Sequence, residues 1–357
     1  MKKKEYHVIA VMSGTSLDGL DIIYVTFRFD VGWKFRIHHS ETVSYTASWK
    51  ETLKGLVDFT SEKLRETDEA YTLYLSEKIK EFVTKHNINQ IDFISSHGHT
   101  ALHQPQNKVT YQIGNLPALA KMTGQLVVCD FRVQDVELGG QGAPLVPIGD
   151  RLLFSEYDYC INLGGFANIS TEVNGKRIAY DVCPTNIVLN HYTRLLGHDF
   201  DAGGKIAEGG TISEDLLNDL NALEFYNRPY PKSLGLEWVK SEIIPIIDQY
   251  NLKTEDILRT FTEHIAIQIS GNVKGDKKVS VLVTGGGAYN TYLISRIQSK
   301  TLNEIVIPKK KIIEFKEALI FGFLGILKIQ GEVNCLSSVT GAKHDHSSGK
   351  IFYPEII

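Results

Sequence analysis

Short apolar runs that end in small polar loops recur along this chain, and they predict buried strands. The first runs occupy residues 6–12, 20–30 and 33–45, and all three are rich in β-branched and aromatic residues. The loop between the first two runs, residues 13–19, reads SGTSLDG. Its small residues, hydroxyl groups and carboxylate suit phosphate oxygens or a hydrated cation, although the same residue types also form ordinary hairpin turns.

The pattern then alternates between helical and strand periods. Apolar residues near 3.6 spacing predict helical structure from about Trp49 to His86. Residues 91–100 predict a buried strand that ends in a polar loop, residues 116–124 a helix closed by a glycine, and residues 125–132 another buried strand. The order β-β-β-α-β-α-β indicates half of a mixed α/β protein.

The same order of elements begins again after the glycine-rich residues 137–147. The predicted elements are strands at 157–165, 166–173 and 176–184, with an Asn174-Gly175 turn between the last two, helices at 186–197 and within about 241–271, and a strand entering a glycine turn and a helix at 279–290. The halves share no sequence repeat, only an order of elements. This duplication predicts paired lobes with a cleft between them.

Composition narrows the class of protein. The chain has 357 residues, of which 43% are hydrophobic and 22% charged, and its net charge of -4 offers no basic surface for nucleic acid or anionic lipid. Four scattered cysteines without a CxxC pair favour a reducing compartment over a metal or disulfide framework. The lysines and apolar run at the N-terminus imitate a signal peptide, but the run is short and no window reaches the ~20 apolar residues of a membrane span. We expect a cytoplasmic protein.

Polar loops after buried strands are where α/β proteins bind ligands, so they supply the candidate chemistry. The glycine turn in residues 279–290 lets a backbone approach a nucleotide and opens a helix, although such a turn also occurs for packing alone. The sequence has neither a GxxxxGK[ST] loop nor a GxGxxG after a strand. A nucleotide site would therefore need loops from both lobes.

Three further groups have alternative interpretations. Asp181 follows an apolar run and is either a general base or a turn residue before Pro184. The Asp130-Phe131-Arg132 segment favours a structural ion pair over catalysis. Arg228 and Lys232 lie in a proline-rich loop that could hold an acidic sugar or be an ordered connection.

Histidines raise the question of a metal. His97, His99 and His103 form an H-x-H-x3-H pattern, but no further ligands of the right type are evident, so a polar loop that binds substrate or supports the cleft is favoured over zinc. The His344-Asp345-His346 run near the C-terminus is expected to be a solvated turn.

Collinear motifs from about Val8 to Ala342 resemble the anhydro-N-acetylmuramic acid kinase family. They are GTSLDGLD, SHGHTALHQP, YQIGNLPALA, VVCDFRVQDVELGGQGAPLVP, NLGGFANIS, PKSLGLEW, VTGGGAYN and SSVTGA. The resemblance implies the actin-like fold of sugar kinases and heat-shock ATPases, with mixed sheets, flanking helices and nucleotide between two lobes. We place the first lobe at 1–132 plus about 333–357 and the second at 133–332.

The resemblance also implies the reaction and its residues. ATP and water would convert 1,6-anhydro-N-acetylmuramic acid to its 6-phosphate in peptidoglycan recycling, with Asp181 as the base that activates water. Mg²⁺ would be held through water by Asp18 and Asp21. The nucleotide-binding residues would be Gly14, Thr15, Ser16, Asp18, Gly19, Asp21, Gly285, Gly286 and Gly287, and the sugar-binding residues His97, Gln141, Asn168, Lys232 and Glu317. The partners would be the sugar and ATP, with a homodimer as an open alternative to a monomer.

The sequence departs from the family pattern in one important place. The family commonly has D-T-G-P-x-N, whereas residues 181–186 read DVCPTN, which keeps the acid but loses a hydroxyl and a glycine. The family often has Gln in place of His99. The exact acceptor therefore stays open, and a related anhydro or amino sugar is an alternative. A catalytically degenerate sensor of a muropeptide sugar and a histidine-dependent metallohydrolase are the competing classes.

Overall fold

The computed structural model describes residues 3–14, 17–275 and 277–354. Its strands are β1 (Glu5–Ser13), β2 (Leu20–Phe29), β3 (Trp33–Val43), β4 (Phe93–Gln104), β5 (Val109–Ile113), β6 (Val127–Cys129), β7 (Tyr159–Leu163), β8 (Phe166–Val173), β9 (Lys176–Pro184), β10 (Ser280–Thr284), β11 (Glu304–Val306) and β12 (Lys350–Phe352).

Its helices are α1 (Ala47–Lys54), α2 (Ser61–Lys85), α3 (Ala118–Thr123), α4 (Val133–Glu137), α5 (Pro147–Leu153), α6 (Asn186–Leu195), α7 (Lys205–Gly209), α8 (Glu214–Ala222), α9 (Glu224–Asn227), α10 (Leu236–Trp238), α11 (Ile244–Asp248), α12 (Thr254–Asn272), α13 (Thr291–Ser299), α14 (Lys310–Gln330) and α15 (Ser337–Thr340). A π-helical turn joins α10 to α11. No helix in the described ranges combines the length and hydropathy needed to cross a membrane.

The chain divides into two compact units, residues 1–153 with 315–357 and residues 154–314. The sheet of the first unit has the order β12-β6-β4-β1-β2-β3, and β5 pairs with the end of β4. Strands β1, β2 and β3 are antiparallel, whereas β1, β4 and β6 are parallel. The sheet of the second unit has the order β11-β10-β7-β8-β9, again with three antiparallel strands (β7, β8, β9) followed by parallel neighbours.

Each sheet buries apolar residues under helices. In the first unit, Ile9 and Val11 of β1 join a core that includes Tyr71 and Leu75 of α2. The intervening Ala10 points the other way, because strand side chains alternate, and lies close to α14. In the second unit, α12 is buried along much of its length and packs with β7, β8 and β10. The predicted α/β class, with mixed sheets and flanking helices in two similar halves, is confirmed.

The unit boundaries differ from those that the sequence suggested. Residues 133–153 and 315–332 belong to the first unit and not to the second. The reason is the packing of α14: Lys316 forms a buried ion pair with Asp150 of α5 at 2.7 Å. Gly149 of α5 lies against Ile320 of α14.

Most predicted elements are present, and the breaks have local causes. The helical region from Trp49 to His86 is interrupted because the Thr60 hydroxyl accepts from the Lys63 N–H, 3.2 Å away, and starts α2 as a separate helix. Asn174 and Gly175 have φ of 50° and 74° and form the predicted two-residue hairpin turn. The region 241–271 is likewise split, between α11 and α12.

Gly325 offers a test of the packing between α14 and the first sheet. A Cβ at this position would lie 2.6 Å from a ring carbon of Phe93 and 2.8 Å from the Ser95 hydroxyl. Alanine favours a helix by about 1 kcal/mol, but overpacking a core costs about 1–3 kcal/mol, so we expect Gly325→Ala to lower the urea midpoint of unfolding. The matched control is Gly271→Ala in α12, where no atom of the described chain lies within 4 Å of the added Cβ, so stability should stay equal or rise. A raised midpoint for Gly325→Ala would contradict this packing.

Candidate functional site

The first predicted phosphate loop is the connection between β1 and β2. These antiparallel strands pair up to Ser13 and Leu20 and form a hairpin. Thr15 and Ser16 lie outside the described residues. The Leu17 N–H donates to the Gly14 carbonyl at 3.3 Å.

The remaining residues of this hairpin have different surroundings. Asp18 is exposed, and one oxygen of the half-buried Asp21 accepts from the Thr42 hydroxyl at 2.6 Å. A Cβ on Gly19 would lie 2.6 Å from the Val43 carbonyl, so the close approach of β3 already requires a glycine there. The two carboxylates are thus presented by one hairpin, while the local packing alone explains Gly19.

Arg132 organises the predicted sugar-binding residues of the first unit. Its Nε donates to Nε2 of His97 at 2.9 Å, and its Nη1 donates to the Gly142 carbonyl at 2.6 Å. Burial lowers the pKa of Arg132 to about 10, and Glu317 opposes this shift. The guanidinium therefore hydrogen-bonds to His97 and to the residue that follows Gln141, and it lies in the electrostatic field of Glu317.

Gln141 is exposed on a backbone that is held at several points. Its N–H donates to the Thr340 carbonyl at 2.8 Å, and the Gly142 N–H donates to a carboxylate oxygen of Asp135 at 2.7 Å. Gly140 lies so close to Asp135 that a Cβ would be 2.2 Å from that carboxylate. The GGQG loop (residues 139–142) thus fixes the position from which the Gln141 side chain extends.

Glu317 of α14 is exposed, yet surrounding protein atoms raise its pKa above the usual value. Arg132 and Lys316 oppose part of this rise in pKa, because the carboxyl lies in the electrostatic field of both cations.

The three histidines of the H-x-H-x3-H pattern each have a separate partner. His97 is buried and its Nδ1 donates to the Gly98 carbonyl at 2.8 Å, so the Nε2 that faces Arg132 is an acceptor. Burial and the neighbouring Arg132 lower the pKa of His97 well below its usual value, and burial lowers the pKa of His99 to about 4. Nδ1 of His103 contacts the Thr110 hydroxyl at 3.1 Å. Within the part of the chain that the structure describes, they form no group of metal ligands.

Sequence reasoning missed a buried chain of hydroxyl groups beside these histidines. The Ser13 hydroxyl lies 2.7 Å from Nδ1 of His99 and 2.6 Å from the hydroxyl of Tyr45, which in turn lies 2.6 Å from that of Tyr71. Burial raises the pKa of Tyr45 to about 12. Because these residues are far apart in sequence, only the fold brings them together.

In the second unit, Asp181 lies near the end of β9. Its Oδ2 accepts from the Leu234 N–H at 2.8 Å, and its own N–H donates to the Lys232 carbonyl at 3.1 Å. No group in the described ranges hydrogen-bonds to the other carboxylate oxygen. Burial raises the pKa of Asp181 above the usual value, and the Leu234 N–H opposes the shift.

A β-bulge follows Asp181 directly. Asn168 of β8 pairs with Asp181, whereas Ala167 pairs with Cys183, so Val182 is the extra residue. Directly paired residues have neighbouring side chains on one face of a sheet, which places Asn168 beside Asp181. Asn168 is exposed.

Lys232 is engaged by its own loop. Its ammonium donates to the carbonyls of Phe225 and Tyr226 at 3.2 and 3.5 Å and lies 4.6 Å from the centre of the Phe225 ring. Arg228 pairs with Glu224. Arg228 and Lys232 therefore both have partners near the loop that carries Leu234. This is what an ordered connection, the second of the two interpretations of this segment, requires.

The glycine turn after β10 lies at the same end of the second sheet as Asp181. A Cβ on Gly285 would be 2.5 Å from the Asn162 side-chain oxygen, and Gly285 has φ of 82°. A Cβ on Gly287 would be 2.7 Å from Leu163, whereas no atom of the described residues lies within 4 Å of a Cβ on the exposed Gly286. Gly286 is therefore the glycine that presents open backbone.

A family model described as anhydro-N-acetylmuramic acid kinase matches residues 6–354. The chain belongs to the anhydro-N-acetylmuramic acid kinase family. It is 34% identical to the anhydro-N-acetylmuramic acid kinase of Mannheimia succiniciproducens, covering 98% of this chain and 99% of the relative. The Haemophilus influenzae kinase is 31% identical, covering 98% of each chain. Phosphoryl transfer to an alcohol group of a sugar is thereby confirmed as the reaction class.

Solved structures are more distant from this kinase. The activator of 2-hydroxyisocaproyl-CoA dehydratase from Clostridium difficile has a TM-score of 0.45 at 15% identity, covering 91% of this chain and 96% of the other. A xylulose kinase from Lactobacillus acidophilus has a TM-score of 0.44 at 11% identity, covering 98% and 94%.

The departure from the family pattern lies on the core side of the kinase. Val182 and Cys183 are fully buried, and burial raises the pKa of the Cys183 thiol. Thr185 is also buried, and its hydroxyl donates to the Gly164 carbonyl at 2.7 Å. The Val-Cys pair therefore fills the core beneath Asp181, and it does not lie on the face of the sheet that presents the acid.

Neighbouring glycines of the turn should respond differently to a methyl group. Gly285→Ala places a side chain at positive φ and against Asn162, so we expect a loss of about 1–3 kcal/mol in the free energy of unfolding. The added Cβ of Gly286→Ala has no neighbour within 4 Å among the described residues, so this variant should unfold like the wild type. Urea titration of both variants and the wild type measures the difference. Equal stability of the two variants would show that Gly285 is not required by the turn.

Proposed function

We propose that this chain uses ATP and water to convert 1,6-anhydro-N-acetylmuramic acid to N-acetylmuramic acid 6-phosphate, with Asp181 as the general base. The observation that carries the proposal is the state of the Asp181 carboxyl. One oxygen is fixed by the Leu234 N–H, the other has no hydrogen bond from the described residues, and burial raises its pKa. A base needs a fixed orientation, an available oxygen and a pKa moved towards the working pH.

The proposed chemistry opens the anhydro bridge and transfers a phosphoryl group. Asp181 accepts a proton from water while the water oxygen attacks the anomeric carbon, and the bond from that carbon to O6 breaks. O6 then attacks the γ-phosphorus of ATP, which releases ADP. Val182 and Cys183 are buried and do not line the face of the sheet that presents Asp181, and a screen of related anhydro and amino sugars tests which acceptor is used.

We assign the sugar-binding residues to two groups. In the first unit, His97 hydrogen-bonds to Arg132, Gln141 precedes the Gly142 carbonyl that accepts from Arg132, and Glu317 lies in its electrostatic field. Their donors and acceptors suit a polar sugar with a lactyl carboxylate. Asn168 lies beside Asp181 in the second unit. Lys232 has an indirect role, because its ammonium holds the loop whose Leu234 N–H orients the base.

We assign the phosphates of ATP to the hairpin of residues 14–19 and to the turn of Gly285, Gly286 and Gly287. Asp18 and Asp21 would hold Mg²⁺ through water, and their oxygen donors on one hairpin fit this hydrated cation. Mg²⁺ bound with ATP supplies positive charge to the phosphates. The paired lobes closing on ATP, the cytoplasmic location and the homodimer stay predictions.

Gly286 tests the nucleotide assignment without disturbing the fold. Because a Cβ there has no neighbour within 4 Å in the described ranges, Gly286→Val should fold normally, while its side chain would keep ATP away from the backbone. We expect the KM for ATP to rise by more than about tenfold, a loss of about 1.4 kcal/mol of binding free energy. Gly32→Val, at another glycine with open space, is the control and should leave this KM unchanged. An unaltered KM in folded Gly286→Val would remove this turn from the nucleotide site.

Asp181→Asn tests the base. Loss of a general base lowers kcat by about 10²–10⁴-fold, while the amide oxygen can still accept from Leu234, so stability and the KM for ATP should change little. Asp256→Asn is the control, since Asp256 also accepts from a backbone N–H, that of Thr211 at 2.7 Å. Near wild-type turnover would place the base elsewhere, and a binding-only sensor would show no turnover even in the wild type.

The pH profile supplies a second readout of Asp181. The base works only when ionised, so wild-type kcat/KM should fall as the pH drops through the raised pKa of Asp181. This acid limb should lie at a higher pH than an ordinary aspartate would give. Its persistence in the residual activity of Asp181→Asn would assign the limb to another group.

A further inference from the structure

A buried cluster in the first unit joins three types of metal-binding side chain. Asp135, Cys335 and His346 are all buried, and one donor atom from each lies within 4.8 Å of the others. The Cys335 thiol donates to Oδ1 of Asp135 at 3.0 Å, and Nε2 of His346 lies 3.5 Å from the same oxygen. None of the three residues has a part in the proposed reaction.

His346 supplies the decisive detail. Its Nδ1 donates to the His344 carbonyl at 3.1 Å, so the neutral ring has its lone pair on Nε2. Among the described residues this Nε2 has no hydrogen-bond partner, and the side chain is only 3% exposed. A buried polar atom without a partner is costly, and a ring held through its other nitrogen by a carbonyl is the usual arrangement of a metal-binding histidine.

The separations suit a small cation. Zinc binds sulfur at about 2.3 Å and nitrogen or oxygen at about 2.0–2.2 Å in tetrahedral sites, so neighbouring ligand atoms lie about 3–4 Å apart. The two measured separations from Oδ1 of Asp135 lie in this range. Thiolate, imidazole and carboxylate are together the donor types of zinc.

We propose that Asp135, Cys335 and His346 form a zinc site. Zinc would replace the proton of the Cys335 thiol, forming a zinc–sulfur bond and releasing that proton to solvent. Nε2 of His346 and Oδ1 of Asp135 complete three protein ligands. A water or the adjacent Thr340 hydroxyl, which lies 2.7 Å from Oδ1 of Asp135, is left for the fourth position.

The proposed zinc would have a structural effect on the GGQG loop. Asp135 binds the Gly142 N–H through its second oxygen, and Thr340 binds the Gln141 N–H. The backbones of Cys335 and His346 also pair with each other. The ion would thus connect the C-terminal segment of the chain to the loop that presents Gln141.

Metal content tests the site directly. The full-length protein is expressed in zinc-supplemented minimal medium, and the zinc that co-purifies is measured by mass spectrometry. We expect a single zinc per chain in the wild type and in Cys129→Ser, a control at another buried cysteine of the same unit, and no zinc in Cys335→Ser or His346→Gln. A wild type without zinc, or zinc retained in both cluster variants, would overturn the proposal.

Cobalt keeps the test decisive if the cluster variants do not fold. Wild-type protein expressed with cobalt should show the near-ultraviolet absorption band of a cobalt–thiolate bond. The single serine variants of Cys129, Cys160 and Cys183 should keep this band, which assigns it to Cys335. Absence of the band from the wild type, or its loss in one of those three variants alone, would refute the site.

Discussion

The hydrogen bonds of the Arg132 guanidinium are the interactions on which the candidate site of the first unit depends. A partly buried cation needs hydrogen-bond acceptors. Arg132 donates to Nε2 of His97 in β4 and to the Gly142 carbonyl in the GGQG loop. Because it uses Nε2 of His97, it also fixes which ring nitrogen carries the proton. One charge therefore determines the tautomer of a histidine, the course of a glycine loop and the field at Glu317.

Much of the fold follows from the hydrophobic pattern alone. The first three strands, the Asn174-Gly175 hairpin and the helix closed by Gly124 form where alternation, turn residues and a left-handed glycine predict them. Strand ends also place the candidate loops, since Asp181 and the glycine turn of the second unit lie at one end of one sheet. Their proposed chemical roles rest on the family resemblance, because the position of Asp181 in the sequence is equally consistent with a turn.

Other features could not be predicted, because they depend on contacts between distant segments. His346 was expected in a solvated turn, but Cys335 pairs with it and Asp135 lies beside it, so it is buried. Asp130 does form an ion pair, yet with Lys350 and not with the adjacent Arg132. The sequence places the second boundary at about residue 333, whereas the units divide between residues 314 and 315, inside the uninterrupted helix α14. Helical periodicity does not reveal which sheet a helix covers, so it gives no sign of a boundary within a helix.

The bulge at Val182 separates the core residues that follow Asp181 from the acid itself. Because the extra residue lets Val182 and Cys183 both turn into the core after Asp181, substitutions at these two positions alter interior volume while the acid keeps its place. Loss of Val182 itself would leave Asp181 paired with Asn168 and Cys183 with Ala167, so the carboxylate would keep its strand position while the core lost one apolar side chain.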